Sequence, residues 1–163
     1  PAVFAGGAAF IANMPRDLAQ NGERPPPVPI MIATSTDDRL MPYRGGEILN
    51  GLVRSRGAVL STRETVAWWA KVNNARPPEA ERALPDTVPE DGCRLVVTDY
   101  PAQGNDSAPV TVIRMDGGGH AMPTRLARTM TDSRVPVGRL IGTVCNDAEG
   151  AELAWDFFSR ASR

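Results

Sequence analysis

Two short apolar runs stand out in a chain otherwise broken by turn formers. Val28-Pro29-Ile30-Met31-Ile32-Ala33 and Val110-Thr111-Val112-Ile113-Arg114-Met115 are each closed off by proline, glycine or polar residues. The first, continuously apolar, suits a strand covered on both faces, as in a parallel sheet, and the second reads as another strand. A third strand is predicted over Cys93 to Tyr100, entered through the turn signal Asp91-Gly92. The small apolar opening Ala2 to Ala12 reads as a further buried strand with the loop that follows it.

Helical spacing appears in two places. Ser61 followed three residues later by Glu64 is a capping box, and Val66, Trp69 and Ala70 then fall on one helical face. Asn146 reads as an N-cap with Glu149 at the third helical position, opening a closing helix lined by Ala151, Ala154, Trp155 and Phe158. A less regular helix is expected over Gly46 to Arg56. Residues 20–29, with Pro25-Pro26-Pro27, predict a stiff exposed connector, and residues 74–90 a proline-rich surface excursion. Residues 101–109 and 124–143 read as loops. Strands mixed with helices predict α/β layers in one domain spanning residues 1–163, without internal repeats.

Composition narrows the function classes. The 163 residues suffice for one domain with a real core. Eighteen basic residues against nineteen acidic ones leave a net charge of -1 and no basic stripe with interleaved aromatics, so nucleic acid is not an expected partner. No apolar run approaches the roughly 18 residues of a membrane span, so no membrane partner is expected. Cys93 and Cys145 make no metal-type or redox-type spacing and are either free or joined in one bridge.

Candidate chemistry centres on the only histidine, His120, within Gly117-Gly118-Gly119-His120-Ala121-Met122-Pro123 directly after an apolar strand. With an ordinary pKa of about 6.5, imidazole carries protons in both directions near neutral pH; a lone histidine is otherwise commonly a structural residue. The strand ending at Ala33 is followed by Asp37-Asp38-Arg39-Leu40-Met41-Pro42-Tyr43-Arg44-Gly45-Gly46. Open α/β sheets build sites where loops converge beyond the C-terminal ends of strands. A carboxylate from one loop then fixes the tautomer of an imidazole from the other and stabilises the imidazolium formed on proton abstraction. Asp before His is the α/β-hydrolase order. One histidine with scattered carboxylates gives no zinc spacing. The pair Asp37-Asp38 could at most bind calcium peripherally, the acids Asp86, Glu90 and Asp91 read as surface charge, and no cofactor is implied.

Taken in order, Asp38 to Gly46, Trp69, Gly117 to Pro123 and Trp155-Asp156-Phe157-Phe158 resemble the polyhydroxybutyrate depolymerase and feruloyl-esterase-like carboxylesterases of the α/β-hydrolase fold. The resemblance runs from about Val28 to the C-terminus. It implies the C-terminal half of that fold, a mostly parallel sheet with flanking helices. It also implies a serine carboxylester hydrolase with Asp38 as triad acid, His120 as triad base and Asp37 as the second choice for the acid. Tyr43, Gly45 and Gly46 would shape the Asp38 loop, and Tyr43, Met122 and Pro123 would face substrate. The implied substrates are polyester oligomers, acyl-polysaccharides or aryl esters, and many such enzymes are secreted. The chain departs from the pattern in three ways: Thr34-Ser35-Thr36 replaces His-Gly-Thr, Met122 replaces a tryptophan, and the family's cysteines near Ala75 and Tyr100 are missing, so that family disulfide is not expected. No Gly-x-Ser-x-Gly occurs. The nucleophile is therefore expected on a preceding half of the same enzyme or on a companion chain. The competing expectation is a non-catalytic, hydrolase-like binding domain in which Asp38 and His120 are relics.

Overall fold

The two apolar runs lie side by side at the heart of a five-stranded sheet. The structure, a computed structural model, describes residues 4–49, 55–126 and 141–161. In chain order the elements are β1 (Gly7–Phe10), α1 (Arg16–Asn21), β2 (Ile30–Ser35), β3 (Gly46–Leu49), β4 (Ser55–Val59), α2 (Thr62–Val72), β5 (Arg82–Ala83), a short 3-10 turn (Pro89–Asp91), β6 (Arg94–Tyr100), β7 (Val110–Asp116) and α3 (Gly150–Ala161). The main sheet has the order β1-β2-β7-β6-β5, and β3 pairs with β4 in a separate two-stranded ribbon.

The sheet is mixed, which corrects the expected mostly parallel half of an α/β-hydrolase. β1 and β2 are parallel, as are β2 and β7, whereas β6 runs antiparallel to both β7 and β5. The reason is chain length: a parallel crossover needs a dozen or more residues, and only residues 101–109 separate β6 from β7. Only three α-helices flank the sheets among the described residues, and none is long and apolar enough to cross a membrane.

Side-chain alternation divides the core into two layers. Ile30, Ile32, Val110 and Val112 meet Val66 and Trp69 of α2 on one face. Met31, Ala33, Leu95, Val97, Ile113 and Met115 meet Leu153, Ala154, Phe157 and Phe158 of α3 on the other. A continuous apolar run is thus buried on both sides, each such side chain stabilising the fold by about 1.5–3 kcal/mol. Ser61 and Glu64 form the reciprocal capping box that starts α2. At its other end the buried Asn73 side chain bonds both the N–H and the carbonyl of Val28 and the carbonyl of Pro109. That latch sets the helix across the starts of β2 and β7.

Other expectations change as well. The helix expected over Gly46 to Arg56 is instead β3 and β4, antiparallel with Gly46 opposite Val59. β1 is a half-buried edge strand rather than a buried one, and α1 follows where no helix was expected. Trp68 Nε1 of α2 donates to the Ala19 carbonyl of α1. Within residues 74–90, β5 extends the sheet against β6. α3 begins at Gly150; Asn146 is held by Asp91 and does not cap it. Most of the loop expected over 124–143 lies outside the described residues. Cys93 and Cys145 are joined in a buried disulfide, with Cα atoms 5.3 Å apart and a separation of 52 positions in sequence.

Candidate acid–base site

The site forms where β2 and β7 end side by side. Their pairing continues past the sheet, Thr36 N donating to Met115 O at 3.0 Å and Asp37 N to Gly118 O at 3.0 Å. Thr36 Oγ1 accepts from Gly117 N at 2.9 Å and donates to Asp37 Oδ1 at 3.0 Å. These contacts lock the two loops together before either reaches its candidate residue. Asp38 then folds back on its own turn: Oδ1 accepts from both Leu40 N and Met41 N at 2.8 Å, the local bonding for which Asp is favoured in turns. Its other oxygen, Oδ2, lies 2.8 Å from His120 Nδ1. A carboxylate accepts only, so the imidazole Nδ1–H donates.

Burial is unequal across this pair. The Asp38 side chain is 2% exposed and that of His120 33%. The carboxylate is shielded while part of the ring reaches solvent. Its bond to Asp38 is the only ring hydrogen bond among the described residues, which leaves Nε2 able to accept a proton.

The glycines before His120 are there because backbone passes too close for side chains. Gly117 has φ of +79°, and a Cβ on it would collide with the Gly92 carbonyl. A Cβ on Gly119 would collide with the carbonyl of Ile141 and lie 2.9 Å from Gly142 Cα. The segment pressing on the turn also holds it. Gly119 N donates to Thr143 O at 2.7 Å, His120 N to Ile141 O, and Thr124 N to Cys145 O at 3.0 Å. The disulfide ties Cys145 to the entry of β6, so the histidine turn is gripped by a strap anchored covalently in the core.

The remaining sequence candidates fall differently. Asp37 is exposed and bonded to Thr36, so Asp38 and not Asp37 meets His120. Tyr43 is half-buried, and burial raises its phenol above the ordinary 10.0, an effect Arg114 opposes and Asp116 and Glu81 reinforce. Its backbone carbonyl accepts from Thr62 N, which fastens the Asp38 loop to the start of α2. Met122 is 44% exposed and packs against Gly150 at the start of α3. Pro123 is fully buried, and its carbonyl accepts from Gly150 N; it supports the start of α3 rather than facing outward. The strap 141–145 escapes a reading of the sequence because its role runs through backbone groups that carry no residue signature, and Thr36 escapes it because its hydroxyl meets Gly117 N, 81 residues away. Ser35 Oγ is buried with no hydrogen-bond partner among the described residues and faces Gly118 rather than solvent.

On β7, Arg114 bonds Asp116 through Nε and Nη2 and Glu81 through Nη1 and Nη2. Those hydrogen bonds hold the guanidinium proton more tightly than usual. No cluster of three or more His, Cys, Asp or Glu side chains is placed to hold a metal ion among the described residues. Compared with models of known families, with characterised proteins and with solved structures, the chain matches none. The resemblance to the polyhydroxybutyrate depolymerases and feruloyl esterases therefore rests on the quoted residues alone.

Proposed function

We propose that Asp38 and His120 are the acid–base pair of a serine carboxylester hydrolase. The observation that carries this reading is the 2.8 Å contact between His120 Nδ1 and a carboxylate that is itself buried and bonded to two backbone N–H groups. Such a carboxylate holds the ring in the tautomer with an open Nε2 and offsets the positive charge when Nε2 takes a proton. Ester hydrolysis needs that proton moved twice. A serine hydroxyl attacks the carbonyl carbon while Nε2 removes its proton, and the imidazolium returns the proton to the departing alcohol. Water then releases the acyl group by the same route.

The serine comes from outside the described residues, on a preceding part of the same polypeptide or on a companion chain. Polyester oligomers, acyl-polysaccharides and small aryl esters are the substrate classes that the resemblance suggests. The test is hydrolysis of p-nitrophenyl butyrate by the protein made from its complete coding sequence. Asp38→Asn is expected to lower turnover about ten-thousand-fold, the scale known for a triad acid, and His120→Ala to abolish it. A loss below tenfold in Asp38→Asn removes the acid role from Asp38. Hydrolysis that survives His120→Ala, or no hydrolysis of any ester of these classes, leaves the pair a non-catalytic relic.

A further inference from the structure

Behind the Asp38 loop lies a buried polar chain that the acid–base pair does not itself use. Asn13, Thr34 and Thr62 are 7%, 2% and 2% exposed. They come from three places: just beyond β1, the end of β2 and the first residue of α2. Thr62 Oγ1 stands 3.1 Å from Asn13 Oδ1 and 3.3 Å from Thr34 Oγ1. It has one proton, and an amide oxygen can only accept. The Thr62 hydroxyl therefore donates to Asn13, and Thr34 donates to Thr62. Asn13 Nδ2 in turn donates to the Pro42 carbonyl at 3.2 Å, and Thr62 N donates to the Tyr43 carbonyl at 2.9 Å. The donors all point one way, from the sheet and α2 toward the loop that presents Asp38.

A strained residue delivers Asn13 to this position. Ile11 has φ of +53°, a conformation that a β-branched residue rarely adopts. Strain of this kind persists where the surroundings hold it in place. Ile11 N extends the β1–β2 pairing by donating to Ala33 O at 2.8 Å, and the reversal there turns the chain from the sheet edge inward. Two residues later Asn13 sits beneath Pro42.

We propose that Asn13 is a positioning residue for the Asp38–His120 pair. Its carboxamide, oriented by the Thr62 hydroxyl, sets where the Pro42 carbonyl lies. Because Asp38 Oδ1 is tied to Leu40 N and Met41 N, the carboxylate moves with that turn, and a displaced loop carries Oδ2 away from the imidazole. Asn13 touches neither His120 nor a reacting atom and acts only through the loop. Its value to catalysis rests on the ester-hydrolase reading above, but its effect on ring orientation is measurable without turnover.

The experiment uses the fact that His120 is the only histidine, so every imidazole 15N signal belongs to it. In the parent protein, at a pH where the ring is neutral, the proton resides on Nδ1. Asn13→Asp keeps an acceptor for Thr62 and removes the donor to Pro42. It is expected to lower the ratio of the Nδ1–H to the Nε2–H form about fivefold, the weight of one net hydrogen bond. Thr62→Val keeps the helix N–H and removes only the hydroxyl; it lowers the ratio in the same direction, and Thr62→Ser restores it. Backbone amide signals of Val66 and Val112 establish that each variant is folded. A parent ratio in folded Asn13→Asp overturns the proposal; where that variant does not fold, a parent ratio in Thr62→Val overturns it. Failure of both to fold makes the relay purely structural and overturns it too. A lowered ratio in a protein that hydrolyses no ester leaves this inference standing and ends the hydrolase reading alone.

Discussion

Removing the Cys93–Cys145 bridge by Cys93→Ala with Cys145→Ala tests how the histidine turn is held. The bridge closes a loop between residues 52 apart in sequence. Losing that constraint frees the unfolded chain and costs about 4 kcal/mol on the loop-entropy relation. This is a large share of the roughly 5–15 kcal/mol that holds a typical domain together, and for a chain of this size it lowers Tm by roughly 10 °C. The loss is also expected to be uneven. Ile141 and Thr143 accept from His120 N and Gly119 N, while Cys145 accepts from Thr124 N and is tied through sulfur to Cys93. Calorimetry of the parent and the double variant measures the global term, and amide hydrogen exchange measures the local one. Exchange at Gly119 and His120 is expected to accelerate more than at Val112 in the sheet centre. A stability loss below about 1 kcal/mol would refute the loop-closure arithmetic. Equal acceleration at all three amides would refute the strap.

The other predictions concern single residues. Asp38→Ala strands the N–H groups of Leu40 and Met41 and is expected to cost about 2–4 kcal/mol in urea unfolding; Asp38→Asn, which keeps an oxygen for those donors, is expected to cost less, and the opposite order would break the reasoning. Gly119→Ala drives a methyl group into the Ile141–Gly142 backbone, whereas Gly104 has open space around it. The first is expected to lose upwards of about 2 kcal/mol and the second under about 0.5 kcal/mol in the same assay. Hydrogen bonds from Ser61 hold the Glu64 carboxyl below its ordinary 4.5. With the folded value depressed, the stabilisation is present above the unfolded value and is lost as pH falls through the folded one. Acidification below about pH 4.5 should therefore weaken α2 in the parent, and Glu64→Gln should remove that part of the circular-dichroism change. Ser61→Ala is expected to cost about 1 kcal/mol at neutral pH.

Much of the site was legible in the order of residues. A carboxylate after one apolar run and an imidazole after another, with glycines before it, points to Asp38 and His120 because strands of this kind end where loops converge. The choice of Asp38 over Asp37 came from the resemblance and not from residue type or order. It depends on which neighbour bends back to receive the N–H groups of Leu40 and Met41, and adjacent aspartates carry no label for that. The part Pro123 plays in the fold has no residue signal for the same kind of reason: its carbonyl, a backbone group, meets the start of α3. Asn13 gave no signal at all, since its partners Thr62 and Pro42 lie 49 and 29 residues away.

By itself the sequence determined the local elements whose causes are local. The central strands follow from continuous apolar runs, and the start of α2 follows from the Ser61–Glu64 reciprocity. Tertiary structure decided what depends on distant partners: the β3–β4 ribbon in place of a helix, the disulfide, and the buried relay under Asp38. The division has one physical cause. Hydrogen bonds, periodicity and connection length within a few residues are written in neighbouring positions, whereas ribbon pairing, sulfur pairing and loop position are selected only when the whole chain closes on its core.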